Sequence, residues 1–433
     1  MKRLIALLLL LSLTVMAGCT PFFALPNDTI KAPRTTGEYE EIQKALILAL
    51  DEDITMQYPK CKGTSAAFTT GDVDGDGEGE ILAFYRPVSV SATHINILKS
   101  IDGRWQSVAD IEPVGSMLER VELCDLDGDG SVEIITGWSV YDSKNYELAV
   151  FSFNEQSVTR RMTEKYTQFM VSDYNGDQND EIVLLLLNSD AKTSQMLFYK
   201  LTANETTVEA SCQFNGTVTS YSEIYGVEAE DGMCYFADGF MGNGIVITEG
   251  VLYRDNKALN IIDNSSNETP SKTYRTFEAK IKHMDGKLLI PFVRAMNEEG
   301  ERLPQLTAQH SIIDWCYYNG EEFVTDYVSY YCLDGSYEIM FEEEWENRLS
   351  CSYNTETKEL IFYDIKDMMN EAFKITEVAL LEETNDVDDP EKYVDSVRIK
   401  TGDISAYFLT VSDENTLNIT TETIRRNFIY REN

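Results

Sequence analysis

Short stretches in which apolar and polar residues alternate run through most of the chain, each ended by a polar or glycine-bearing turn. SAAFTTG, ILAFYRP, HINILKS and WQSVADI come first. LERVELC, IITGWSVY, ELAVFSF and SVTRRMT follow, and TQFMVS, IVLLLLNS, QMLFYKL and TVEASCQF make a third set. A period of two puts successive side chains on opposite faces of an extended chain, so each stretch is expected to be a strand. Four short strands repeated every fifty residues or so is the pattern of a propeller blade. MCYFADGF, GIVITEGVLYR and ALNIID continue the rhythm as a fourth unit. A fifth runs from TFEAKIKHMDGKLLIPFVRA through SIIDWCYYN and EFVTDYVSYY. The expected fold is mostly β: a β-propeller of about five, and up to seven, four-stranded blades over residues 60–333.

The period changes at both ends. Residues 37–50, GEYEEIQKALILAL, place Ile42, Ala45, Leu46, Ala49 and Leu50 on one helical stripe, with Thr35 and Glu38 spaced as a capping box. Residues 37–59 therefore read as an amphipathic helix and a lead-in to the first blade. The polar face of this helix carries acids, which suits packing on the protein better than lying on lipid. Beyond residue 333 the texture shifts, and 334–433 read as a small α+β domain. GSYEIMF is a strand, EEEWENRL a short helix, LSCSYN and KELIFYDI a hairpin, and the final NITTETIRRNFIY a helix capped by Thr420 or Thr421. ETNDVDDPEKY, 383–393, reads as a solvated acidic loop.

The turn between the first two strands of each early unit has its own chemistry. GDVDGDGEGE, DLDGDGSVE and DYNGDQNDE begin their acidic runs at 72, 125 and 173, so the motif steps by 53 and then 48 residues. Acids at alternate positions of a tight loop converge on one centre, and calcium takes six to eight such oxygens. The candidate ligands are Asp72, Asp74, Asp76, Glu78 and Glu80; Asp125, Asp127, Asp129, Ser131 and Glu133; and Asp173, Asn175, Asp177, Asn179 and Glu181. Glu78, Ser131 and Asn179 share a position where a backbone carbonyl would bind. Two to three calcium ions are expected. An EF-hand does not fit: its twelfth position is acidic, whereas these loops have Ala83, Thr136 and Leu184, and its flanks are helices.

D-x-D-G-D-G-x-x-E between two strands resembles the FG-GAP/VCBS repeats of the integrin α-type β-propeller. The resemblance implies calcium held at the positions just named; it is strongest over 60–215. The third loop departs from it, with Asn175 for Asp and Gln178 for Gly. In its order of elements the chain looks like propeller lipoproteins of Gram-positive, Clostridia-like bacteria, a likeness that fixes no activity.

The start supplies the lipoprotein part of that picture. MKRLIALLLLLSLTVMAGC has a positive n-region, an apolar run too short to span a bilayer comfortably, and Ala-Gly before Cys19. That order resembles a bacterial lipobox, in which Cys19 becomes the acylated first residue of the mature chain. Residues 1–18 are then a signal peptide and 19–36 a proline-bearing tether. The expected location is extracytoplasmic, on the outer face of the cell membrane, held there by lipid on Cys19.

Charge narrows the partners. Acidic side chains number 74 against 36 basic ones, a net charge of −38 that repels nucleic acid and anionic headgroups, so no nucleic-acid partner is expected. The seven cysteines besides Cys19 lack C-x-x-C spacing, and the three histidines are scattered, which argues against zinc. No G-x-S-x-G, H-E-x-x-H or phosphate-binding glycine loop is present. The expectation is a non-enzymatic recognition module for an extracellular protein, peptide or glycan. The alternative is a carbohydrate-active hydrolase or lyase on the same scaffold; acids abound in so acidic a chain and do not discriminate.

Overall fold

The structure is a computed structural model. It describes residues 36–431 apart from 62, 142–145, 155–156, 265–271, 295–311, 333–334, 355, 367–369, 380–395 and 402–404. Cys19, the signal region, the tether up to residue 35, the Thr35 half of the capping box and the whole 383–393 acidic stretch lie outside the described residues. Among those described, the chain is mostly β, with two α-helices. It forms two compact units, divided at Glu164/Lys165.

The first unit opens with helix α1 (Thr36–Leu50). Ile42 and Leu46 are fully buried, while Ala49, expected on the same stripe, is exposed. The helix packs on a sheet of β1 (Phe68–Gly71), β2 (Glu80–Pro87), β3 (His94–Ile101) and β4 (Arg104–Ile111), paired antiparallel in that order. A second sheet has β5 (Met117–Cys124), β6 (Glu133–Ser139), β7 (Tyr146–Asn154) and β8 (Ser157–Tyr166) in the same arrangement. Short strands at Ile54–Met56 and Lys60–Cys61 add to their edges, the latter parallel to β5. Consecutive strands pair because short turns leave no room for a crossover.

The second unit repeats the plan with β9 (Gln168–Ser172), β10 (Glu181–Asn188), β11 (Thr193–Leu201) and β12 (Thr206–Phe214). Next come β13 (Tyr225–Ala229), β14 (Gly232–Met241), β15 (Ile245–Arg254) and β16 (Lys257–Asn260). A longer sheet follows: β17 (Lys282–Met284), β18 (Lys287–Arg294), β19 (Ile312–Tyr318), β20 (Phe323–Tyr331) and β21 (Tyr337–Met340). The last sheet holds β22 (Leu349–Asn354), β23 (Glu359–Asp364), β24 (Asn370–Ala379), β25 (Val397–Thr401) and β26 (Ser405–Val411). Helix α2 (Thr421–Asn427) is capped by the Thr420 side chain, and β27 (Phe428–Tyr430) returns to pair with β21.

Residue 334, where the sequence texture shifts, thus falls between two strands of one sheet. A single core, with Val328, Tyr330, Ile339, Phe362, Phe373 and Leu409, spans both sides of it. EEEWENRL, expected to be a helix, is a run of turns. Trp345 N–H donates to Glu342 C=O, and Arg348 and Leu349 N–H both return to Trp345 C=O. Trp345, nearly fully buried, anchors the turn in the core.

Candidate metal centres

Each acidic loop joins the first and second strands of its sheet, as the repeat implies: 72–80 between β1 and β2, 125–133 between β5 and β6, and 173–181 between β9 and β10. The leading Asp folds the loop on itself. Asp72 accepts from Gly75, Asp76 and Gly77 N–H at 2.8–3.1 Å, Asp125 from Gly128 and Gly130, and Asp173 from Gly176, Asp177 and Gln178. The chain can turn so tightly because Gly75, Gly128 and Gly176 sit at φ +74, +75 and +78. Gln178 takes φ +75 where the other loops have Gly77 and Gly130, a conformation costing a side-chain-bearing residue roughly 1–2 kcal/mol. The final Glu closes the loop from the strand: Glu80, Glu133 and Glu181 accept from Val73, Leu126 and Tyr174 N–H.

The loops diverge in what remains. In the first, oxygens of Asp72, Asp74 and Glu80 lie within 4.8 Å of one another, and in the second those of Asp125, Asp127 and Glu133 do. Asp74 Oδ1, Glu80 Oε1 and Asp127 Oδ1 are buried and make no hydrogen bond. Lys99 Nζ lies 3.3 Å from Glu80 Oε1, an ion pair rather than an aligned hydrogen bond. Among the described residues the third loop brings no such trio together. There Asn175 Nδ2 donates to Glu181 Oε1 at 2.6 Å and closes the centre with an amide. Asp76, Asp129, Asp177, Glu78 and Asn179 point their loops' exposed edges outward, and Ser131 donates to Asp129.

An oxygen-only donor set with unpaired buried carboxylate oxygens fits a hard divalent cation, with no thiolate or imidazole to favour a softer one. Burial pushes Glu133 and Glu181 up to about 7, and it raises Glu80 as well, against donation from Val73 N–H. Buried, these groups are costly to ionise, and a bound dication would offset that cost.

Several cations around the loops were not apparent in the sequence. Lys99 on β3 reaches Asp74, Asp76 (2.6 Å) and Glu80, and Lys200 on β11 reaches Asp177 (2.6 Å) and Glu181 (3.5 Å). Arg161 on β8 meets Asp127 Oδ2 at 3.2 Å. A signal for the lysines exists: 72 to 99 and 173 to 200 are equal offsets of 27.

Trp138, Trp315 and Trp345 are buried in cores, and Trp105 packs beside α1, which leaves the tryptophans little surface for a ligand. The second unit has a cavity of about 600 Å³, lined in part by Asp263, Glu321, Glu322, Phe292, Tyr318 and Phe323. The three rings stand together, Phe292 and Tyr318 at 4.8 and 5.1 Å from Phe323.

No family model matches the chain, and no curated protein does. Solved structures similar to it include the rhamnogalacturonan lyase YesW, 12% identical with a TM-score of 0.28 over 72% of this chain and 73% of that one. A rhamnogalacturonan lyase of Bacillus licheniformis is 12% identical with a TM-score of 0.29, over 73% and 71%. The exotype rhamnogalacturonan lyase YesX is 10% identical with a TM-score of 0.28, over 72% and 71%. Likeness at that level decides neither fold type nor activity.

Proposed function

We propose that this chain is a calcium-stabilised recognition module of β-propeller type, presented outside the cytoplasm on a lipidated Cys19, that binds a protein, peptide or glycan. The observation carrying the calcium part is the pair of carboxylate clusters, Asp72/Asp74/Glu80 and Asp125/Asp127/Glu133, at the same place in successive sheets. Antiparallel four-strand runs in successive sheets, with the acidic loop between strands one and two in the first three, support the propeller reading. Aromatic rings and acids around the second-unit cavity suit a saccharide, whose apolar face stacks on rings while its hydroxyls donate to carboxylates. The reading assigns no catalytic residue.

The full chain, tested against a glycan array and surface extracts with calcium and with chelator, should retain a ligand only when calcium is present. Turnover of a labelled polysaccharide would instead make it a carbohydrate-active enzyme. Expressed in a host that processes lipoproteins, Cys19→Ser should move the protein from membrane to medium; unchanged membrane association would refute the anchor.

A further inference from the structure

All three loops meet a basic side chain, and they differ in where it comes from: the third strand in the first and third loops, where it reaches the closing Glu, and the fourth strand in the second, where Arg161 meets Asp127. Twenty-seven residues after the leading Asp, on the third strand of each sheet, stand Lys99, Ser152 and Lys200. In the first loop the Lys99 ammonium touches Asp74, Asp76 and Glu80. In the third the Lys200 ammonium sits on Asp177 and Glu181. In the second the matching residue is neutral: Ser152 Oγ donates to Glu133 Oε1 at 3.0 Å. Arg161 comes from the fourth strand, meeting Asp127 at Oδ2 and Ser152 at Oγ. The Asp127 side chain is only 2% exposed and its Oδ1 makes no hydrogen bond, and one of its carboxylate oxygens lies within 4.8 Å of those of Asp125 and Glu133.

We propose that the third-strand residue decides which loop takes a divalent cation: Lys99 and Lys200 supply the first and third loops with a cation of their own, and Ser152 makes the second loop the principal ion site. This rests on the reading of the loops as calcium-type sites and ranks them. A tethered ammonium is always present beside its acids, so an incoming ion binds only the fraction of molecules in which the lysine has swung away. Apparent affinity falls by that fraction, so a lysine engaged nine-tenths of the time weakens the site about tenfold. The first loop pays that penalty although its acids outnumber those of the second. The third loop carries it too, together with the amide of Asn175 and the strained Gln178.

The test is calorimetric titration of the metal-free full chain with calcium chloride, with circular dichroism to confirm that each variant is folded. Wild type should bind one ion tightly, and Asp127→Asn should abolish that event. Lys99→Met, with Lys99→Gln as a second variant of different shape, should tighten the first loop about tenfold or more and bring a second ion into the measurable range. Ser152→Lys should weaken the second loop by a similar factor. Loss of the tight ion in Asp127→Asn with no gain in either Lys99 variant would overturn the ranking and leave the calcium reading intact. So would equal tight binding at two loops in wild type. No heat from any folded variant would overturn the calcium reading itself, and the ranking with it.

Discussion

Glu249 on β15 is fully buried, and that burial pushes its carboxyl up to about 7 despite donation from Asn215 N–H and Asn264 Nδ2. The folded protein therefore holds a proton here that the unfolded chain has released. The stability contributed is complete below the ordinary carboxylate range and is lost as pH rises toward 7. Glu133 and Glu181 push calcium-free protein in the same direction. The melting temperature of wild type should fall between pH 5 and 8 more steeply than that of Glu249→Gln; coincident slopes would show that Glu249 does not titrate this way. At this scale the sequence was readable only where residues repeat. The loop acids recur in register and declare themselves, whereas Lys99 and Lys200 look like any charged residue on a strand's solvent face. Their partners lie 19 or more residues upstream, joined to them by strand pairing between β2 and β3 and between β10 and β11.

Helix α1 is held by few side chains, so its residues should divide sharply. Leu46 is fully buried in a cluster with Phe68, Ile81 and Tyr85, and Leu46→Ala should cost about 2–5 kcal/mol. Leu48 is 82% exposed, and Leu48→Ala should stay within about 0.5 kcal/mol in urea unfolding of the full chain. Equal losses would mean the helix sits otherwise. The strands were the most legible elements because a half-buried strand must alternate, and the four strands of each early unit fall where the alternation does. EEEWENRL misled because a buried Trp345 and Leu349 four residues apart mimic a helical stripe, yet two contacts satisfy a single turn as well. The short strand at Lys60–Cys61 was invisible for the opposite reason: two residues carry no period.

For the whole molecule, net charge and ion content are linked. With 38 negative charges in excess, calcium binding only the folded chain, as proposed, would add stability by mass action and relieve repulsion within the loops. Taking dissociation constants on the order of 10–100 µM, about 1 mM calcium would contribute roughly 1.4–2.7 kcal/mol per filled loop. Chelation should lower the melting temperature at constant ionic strength. Asp127→Ala should reproduce much of that loss in calcium, and Asp177→Ala little of it. Scanning calorimetry decides, and full restoration by magnesium alone would count against calcium. How the sheets are arranged about one another was not legible from strand rhythm, since the alternation marks only pairing between strands that follow one another in the chain. One contact reaches further: Val132 N–H, at the end of the second loop, donates to Asp72 C=O, at the start of the first, at 2.9 Å. Neither loop can open without straining the other, so this edge of the first unit should come apart as one step. An ion held in the second loop would then also guard the first, and calcium would govern how often a protease finds this edge open.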